Sequence, residues 1–407
     1  MFVDGRELFS VEDDTYECGA TGLISAVDAP NKISNYRLRG QPAPVSGEKW
    51  RDVDYSGFVT YPVPRHRVGG WYGNPLLHRT LEGDIVTTFT RAEEGPATTW
   101  RAGSEGPAFT ISSDEGRTWS EPRVICLEEG YRIWGSVLAH EDGSWSFIGV
   151  KQEQVDEQQA AKSWNVRVRS SDRGETWSEM EELEFGGKKA EEYGWREFIL
   201  YSAPFRISDG TVLMTGYKCD LAPGARFMDN DTRRDQSFIV RSTDDGKTWG
   251  APILIDTTHF DTNECMIAEP RPGKLISFSR TLRGRHMWTA TSEDGGLTWS
   301  PLEESSIPGE CPYLITHSTG AIVMTSRAPG GNAVRISFDG GATWTRPCRV
   351  PVSGMASMVE LADGRVLIAG HTGWANPTWI HCDTFRVSPD GPVADRRGNP
   401  TPTSIAP

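Results

Sequence analysis

SSDEGRTW at residues 112–119 returns as SSDRGETW (170–177), STDDGKTW (242–249), SEDGGLTW (292–299) and SFDGGATW (337–344). A motif recurring every 45 to 72 residues is the mark of a repeat architecture. Each copy is turn chemistry. Asp114, Asp172, Asp244, Asp294 and Asp339 can accept hydrogen bonds from the backbone of a tight turn. The glycine two residues on tolerates a conformation that side chains resist. The Trp supplies a large apolar group to wedge between sheets. The alternating carboxylates and closing Glu of a calcium loop are absent, so the five Asp residues read as structural and no metal is expected.

Upstream of each copy lies an apolar stretch, a Gly-containing turn and a second apolar stretch. These segments fall at 74–91, 134–151, 201–218, 264–280, 311–327 and 355–371, six in all. Each reads as a two-stranded hairpin. A third strand leads into the box and a fourth leaves it. The pattern predicts an all-β, six-bladed β-propeller with four-stranded antiparallel blades, one domain over residues 1–390. The sixth repeat ends in FRVSPDGPVA (385–394), which keeps Ser388, Asp390 and Gly391 without the Trp. A strand within about 19–40 is expected to finish that blade, and residues 391–407, rich in Pro and polar groups, are expected to form a flexible tail.

Composition narrows the function classes. A net charge of −14 argues against nucleic acid and acidic membrane as partners, and no apolar run approaches a membrane span. The start MFVDGRELFSVEDD has neither the basic nor the apolar region of a signal peptide, and seven Cys form no CxxC, which together predict a cytoplasmic protein with reduced thiols. No cofactor motif is present; the Gly-rich run APGGN (328–332) lacks the helix that a phosphate site needs.

Aligning the hairpins on their turn glycines places Arg91, Lys151, Lys218, Arg280, Arg327 and His371 at one equivalent position, the end of the second strand. Lys, Arg and His make up about one residue in eight, so six of six is a strong signal. Such a ring would surround one end of the axial channel and attract an anionic ligand. Nine residues before each glycine lies a second ring of Asn74, Trp134, Tyr201, Glu264, Cys311 and Met355. Glu264 is its only carboxylate, with Tyr201 one blade away; Glu197 and Glu310 are nearby acids, and Trp134 is a candidate sugar platform. Glu264 could equally be an ion-pair partner of Arg280. Long loops at 92–108, 152–164 and 219–236 leave from the same end.

Residues 70–390 resemble the sialidase (neuraminidase) superfamily, whose propellers carry this Asp-box, or BNR, repeat. The resemblance implies three arginines gripping a sugar carboxylate, a Tyr nucleophile activated by a Glu, and an Asp acid from a blade-one loop. NECMIAEPRPGKLISFSR (263–280) resembles the segment bearing that Glu and one Arg, which assigns Glu264 and Arg280. Elsewhere the chain departs. The blade-one Arg-Ile-Pro motif is Gly73-Asn74-Pro75, with Arg67 off-pattern. The third Arg would fall near Pro329, beside Arg327. The Tyr segment reads Met355-Ala356-Ser357-Met358. No Asp occurs between 85 and 113, which leaves Glu93, Glu94 and Glu105. The expectation is a diverged, exo-acting glycoside hydrolase that releases a terminal acidic sugar. Its catalytic groups would be Glu264 with Tyr201, Glu197 or Glu310. The alternatives are a non-catalytic glycan-binding propeller and a polysaccharide lyase using Tyr201 and His371.

Overall fold

The computed structural model describes residues 2–3, 6–7, 61–62, 71–92, 105–153, 162–221, 233–259, 261–328, 331–350, 352–371 and 380–394. Six antiparallel blades form a β-propeller. Their innermost strands are Trp71–Arg79, Tyr131–Ala139, Glu197–Leu200, Thr262–Arg271, Glu310–Thr316 and Ser353–Glu360. The innermost strands of blades six and one touch, which closes the ring.

The core lies between the blades rather than within them. Alternate residues of a strand point to opposite faces of a sheet. In blade two, Phe147 therefore packs with Phe109 of blade one, while Ile148 and Val150 pack with Phe198 and Phe238 of blade three. Blade four repeats this: Leu275 faces blade three, while Ile276 and Phe278 face blade five. The second strands read as nearly continuous apolar runs because both of their faces are buried.

The five boxes hold these seams. In the first, Asp114 Oδ1 accepts from the Thr118 amide at 2.8 Å and Oδ2 from the Thr118 hydroxyl at 2.6 Å, while the Ser112 hydroxyl accepts from the Gly116 amide at 2.8 Å. The same bonds recur around Asp172, Asp244, Asp294 and Asp339. The glycine amid these bonds faces the preceding blade. A Cβ on Gly174 would lie 2.6 Å from Phe109 Cζ, and one on Gly246 2.3 Å from Leu138 Cδ2, both at positive φ. The box tryptophans join the same contacts: Trp177 meets Phe109 edge-on at 5.9 Å and Trp344 meets Phe278 at 5.5 Å. These tryptophans sit in the link after the turn. The fourth strand begins later, at Arg123, Glu181, Ile253, Glu303 and Cys348, and is only two residues long in four of these blades.

Blade six is completed by Tyr61–Pro62, which pairs with His381 and Cys382. The segment 19–40 expected in that role lies outside the described residues. Beyond the sixth repeat, Val393–Ala394 pairs with Phe385–Arg386, so the stretch expected to be tail begins as part of the blade; residues 395–407 lie outside the described residues. The Ser388 turn is built differently from the five boxes: its hydroxyl bonds the Gly391 carbonyl at 2.7 Å.

Two predictions follow from the seams. Gly246→Ala adds a methyl group against Leu138 at a left-handed position, so it is expected to destabilise the fold by about 2–4 kcal/mol in urea titration. A loss under about 0.5 kcal/mol would contradict the packing role. The Thr176 hydroxyl and amide hold the Asp172 carboxyl down at about 2. At Asp294 slight burial works upward, but Thr298 outweighs it and the value is again about 2. Carboxyls depressed in the fold stabilise it fully above their unfolded value of about 4 and lose that contribution as pH falls through about 2. The urea midpoint should be flat from about pH 7 to 5 and drop between about pH 4 and 2, and Asp172→Asn with Asp294→Asn should flatten that drop.

Candidate active site

The innermost strands enter the axial mouth irregularly. Register shifts lie between Gly73 and Leu76, Asn263 and Met266, Glu310 and Tyr313, and Ser353 and Ser357. Within them Asn74 (φ 53°), Glu264 (φ 47°), Cys311 (φ 49°) and Gly354 (φ 72°) take left-handed conformations. For Glu and Cys this costs about 1 kcal/mol or more each. The bulges re-aim these side chains at the start of the strand.

Glu264 is 8 % exposed. Its Oε1 accepts from Arg280 Nη1 at 3.0 Å, and its buried Oε2 has no partner among the described residues. Arg280 Nη2 lies 3.6 Å from Glu310 Oε2, and Arg327 also ion-pairs with Glu310. Burial opposes the Arg280 charge, but Glu264 and Glu310 outweigh it and hold the guanidinium firmly protonated. Burial likewise pushes the Glu310 carboxyl up, yet Arg327 and Arg280 prevail and keep it below the usual carboxylate range. Tyr201, from the neighbouring blade, completes the group. Burial raises its phenol well above the ordinary value, and Glu264 is the strongest charge adding to that rise. The Cys311 thiol is raised by burial and then by Glu264. Both groups are therefore neutral at pH 7.

The structure thus brings Glu264, Tyr201, Arg280, Arg327 and Glu310 together. Trp134 lines an axial cavity of about 60 Å³ with Asn74, Thr90, Tyr201, Tyr313 and Met355. Other expected residues are placed elsewhere. Glu197 is 1 % exposed and accepts from Gln152 Nε2 of blade two at 2.8 Å, across the buried seam between blades two and three. His371 is wholly buried, so it reaches neither a ligand nor a substrate proton; a Cβ on Gly354 would come within 1.7 Å of its Nε2. This removes the histidine from the lyase alternative. Arg91 is placed only by its backbone in the strand Ile85–Ala92.

The basic ring is not a bare positive field. Lys151 is matched by Glu128 at 2.6 Å and lies 4.1 Å from the Tyr131 ring centre; Lys218 is matched by Asp220 at 2.7 Å. In an acidic protein each described cation at a strand end finds a nearby carboxylate. The side chains of Glu93, Glu94 and Glu105, and most of the three long loops, lie outside the described residues. Sequence reasoning missed Tyr313 and Thr90 as lining groups. Both sit mid-strand in apolar runs, where nothing local separates a channel residue from a core residue.

The family of BNR repeat-like domains matches residues 109–311. A sialidase of Bacteroides fragilis is 28% identical over 198 residues, 44% of this chain and 33% of that protein. A sialidase of Micromonospora viridifaciens is 24% identical over 346 residues, 75% of this chain and 50% of that protein. The chain thus spans a third to a half of the length of these relatives. Among solved structures, the Hadza microbial sialidase Hz136 superposes with a TM-score of 0.58 at 18% identity, over 78% of this chain and 66% of that one, a likeness of fold.

Because Glu310 ion-pairs with both arginines, Glu310→Gln should strengthen binding of a methyl hexopyranosiduronate at pH 7 by about threefold to tenfold, roughly 1 kcal/mol, in calorimetric titration. Unchanged or weaker binding would show that the arginines are not the anion site.

Proposed function

We propose that this chain, a propeller of the sialidase superfamily, is a glycoside hydrolase whose nucleophile is Tyr201 and whose base is Glu264. Its substrate is a glycan ending in an acidic sugar. The observation that carries this reading is the buried, neutral Tyr201 phenol beside the Glu264 carboxylate, at a mouth where Arg280 and Arg327 pair with Glu264 and Glu310. The expected nucleophile position of the family is Met355 here, on blade six. Tyr201 flanks the same carboxylate from blade three.

In this mechanism the Tyr201 oxygen attacks the anomeric carbon and the phenolic proton passes to Glu264 Oε2, which has no hydrogen-bond partner among the described residues. The bond to the leaving-group oxygen breaks with its electron pair, and that oxygen takes a proton from an acid of the blade-one loop, which carries Glu93, Glu94 and Glu105. Water then attacks the glycosyl–tyrosine. The departing phenolate recovers the proton from Glu264, and water's proton returns to the loop carboxylate. A neutral phenol suits an anomeric centre beside a carboxylate, because an anionic nucleophile would be repelled there. Arg280 and Arg327 bind that carboxylate by displacing Glu310, whose side chain is 46 % exposed.

A panel of 4-methylumbelliferyl glycosides spanning sialosides, uronides and neutral sugars tests this. On the substrate that turns over, Tyr201→Phe and Glu264→Gln should each lower kcat by about 10²–10⁴-fold, with Tm within a few degrees of the parent. Full activity in either variant removes that residue from the mechanism, and no turnover of any glycoside leaves a glycan-binding propeller.

A further inference from the structure

One feature of the axial cavity is not used by the acid–base chemistry. Thr90, on the second strand of blade one, is 1 % exposed, and its Oγ1 has no hydrogen-bond partner among the described residues. Asn74, on the neighbouring first strand, turns its Oδ1 into the same state at a left-handed backbone position. Both residues line the cavity of about 60 Å³ that Tyr201 also lines, and the remaining wall is apolar: Leu76, Trp134, Tyr313 and Met355. Buried polar groups are seldom left unmatched, because each loses its hydration without return. Two of them on adjacent strands, facing one small cavity, form a half-built hydrogen-bonding site.

The missing partner can be described chemically. An amide oxygen only accepts, and a threonine hydroxyl both donates and accepts. One hydroxyl satisfies both, giving its proton to Asn74 Oδ1 and accepting from Thr90. A carboxylate has no proton to give. The cavity is roughly the size of a hydroxymethyl group, and its aromatic wall matches the C–H face of a sugar. Among the described residues no charged side chain lines it.

We infer that the blade-one corner is a neutral subsite that takes a hydroxyl or hydroxymethyl group of the sugar, on a different side of the mouth from Arg280 and Arg327. The substrate is then held by two unlike ends, an anionic group over blades four and five and an uncharged hydroxylated edge over blade one. This rests on the reading that the mouth binds a sugar, and not on hydrolysis.

The test uses neutral methyl hexopyranosides and the same compounds with each hydroxyl deleted in turn, titrated into the parent protein and Thr90→Val. The parent should bind a neutral hexopyranoside, and one deoxy compound should bind about tenfold more weakly. Thr90→Val should lose about the same tenfold for the complete sugar and be indifferent to that deletion. Ligand-free Thr90→Val should melt at the same temperature or higher, since valine keeps the shape and removes an unmatched hydroxyl. Absence of neutral-sugar binding by the parent, equal binding by Thr90→Val, or a lower Tm in that variant overturns the subsite. Binding that depends on Thr90 without turnover of any glycoside retains the subsite and rejects the hydrolase. Turnover that Thr90→Val leaves unchanged does the reverse.

Discussion

The carboxylate of each Ser-x-Asp-x-Gly-x-Thr-Trp turn is gripped by its own threonine, and this fixes the glycine that packs into the blade before it. The ring depends on that contact. Gly174 meets Phe109, Gly246 meets Leu138, and Gly296 meets Ile239, each across a seam. Side chains at the fourth box position add a polar latch across some seams, to the turn between the first and second strands of the preceding blade. Glu115 accepts from the Ala362 amide of blade six at 2.9 Å, and Asp245 from the Glu141 amide of blade two at 2.8 Å. A propeller has no central core, so these seams set the spacing of the innermost strands and thereby the width of the mouth.

That spacing makes the chemistry possible. Tyr201, Glu264 and Cys311 come from three successive blades, and each is ordinary in its own segment. Brought together, they form a group in which burial keeps the phenol and thiol protonated while one guanidinium spans two carboxylates. Glu264 and Cys311 hold left-handed, strained backbone positions at the bulges that open their strands. The seam contacts stabilise the frame against which that strain is held.

Much of this was legible in the chain. The box motif and the paired apolar stretches around each turn glycine are local patterns, so they disclosed the blades, their number and the structural role of the five aspartates. The equivalent positions of Glu264, Arg280 and Arg327 followed from counting residues from the turn glycines. Partner choice was not legible. Glu310 joins Arg327 of its own blade to Arg280 of the previous one, and no spacing in the sequence encodes that bridge. His371 shares its alignment with Arg280 yet lies beneath Gly354, because the blade-six bulge folds the strand over it. The strand Tyr61–Pro62 is too short to carry a pattern in the sequence.

The account turns on one bond, between the Tyr201 oxygen and an anomeric carbon. Incubation with a fluorinated glycosyl fluoride of the sugar that the glycoside panel identifies as substrate, followed by acid quench, digestion and mass spectrometry, looks for it directly. The account predicts a glycosyl mass increment on the peptide bearing Tyr201, absent from Glu264→Gln treated identically. An increment on Glu264 or Glu310 instead, with Tyr201 unmodified, would contradict it.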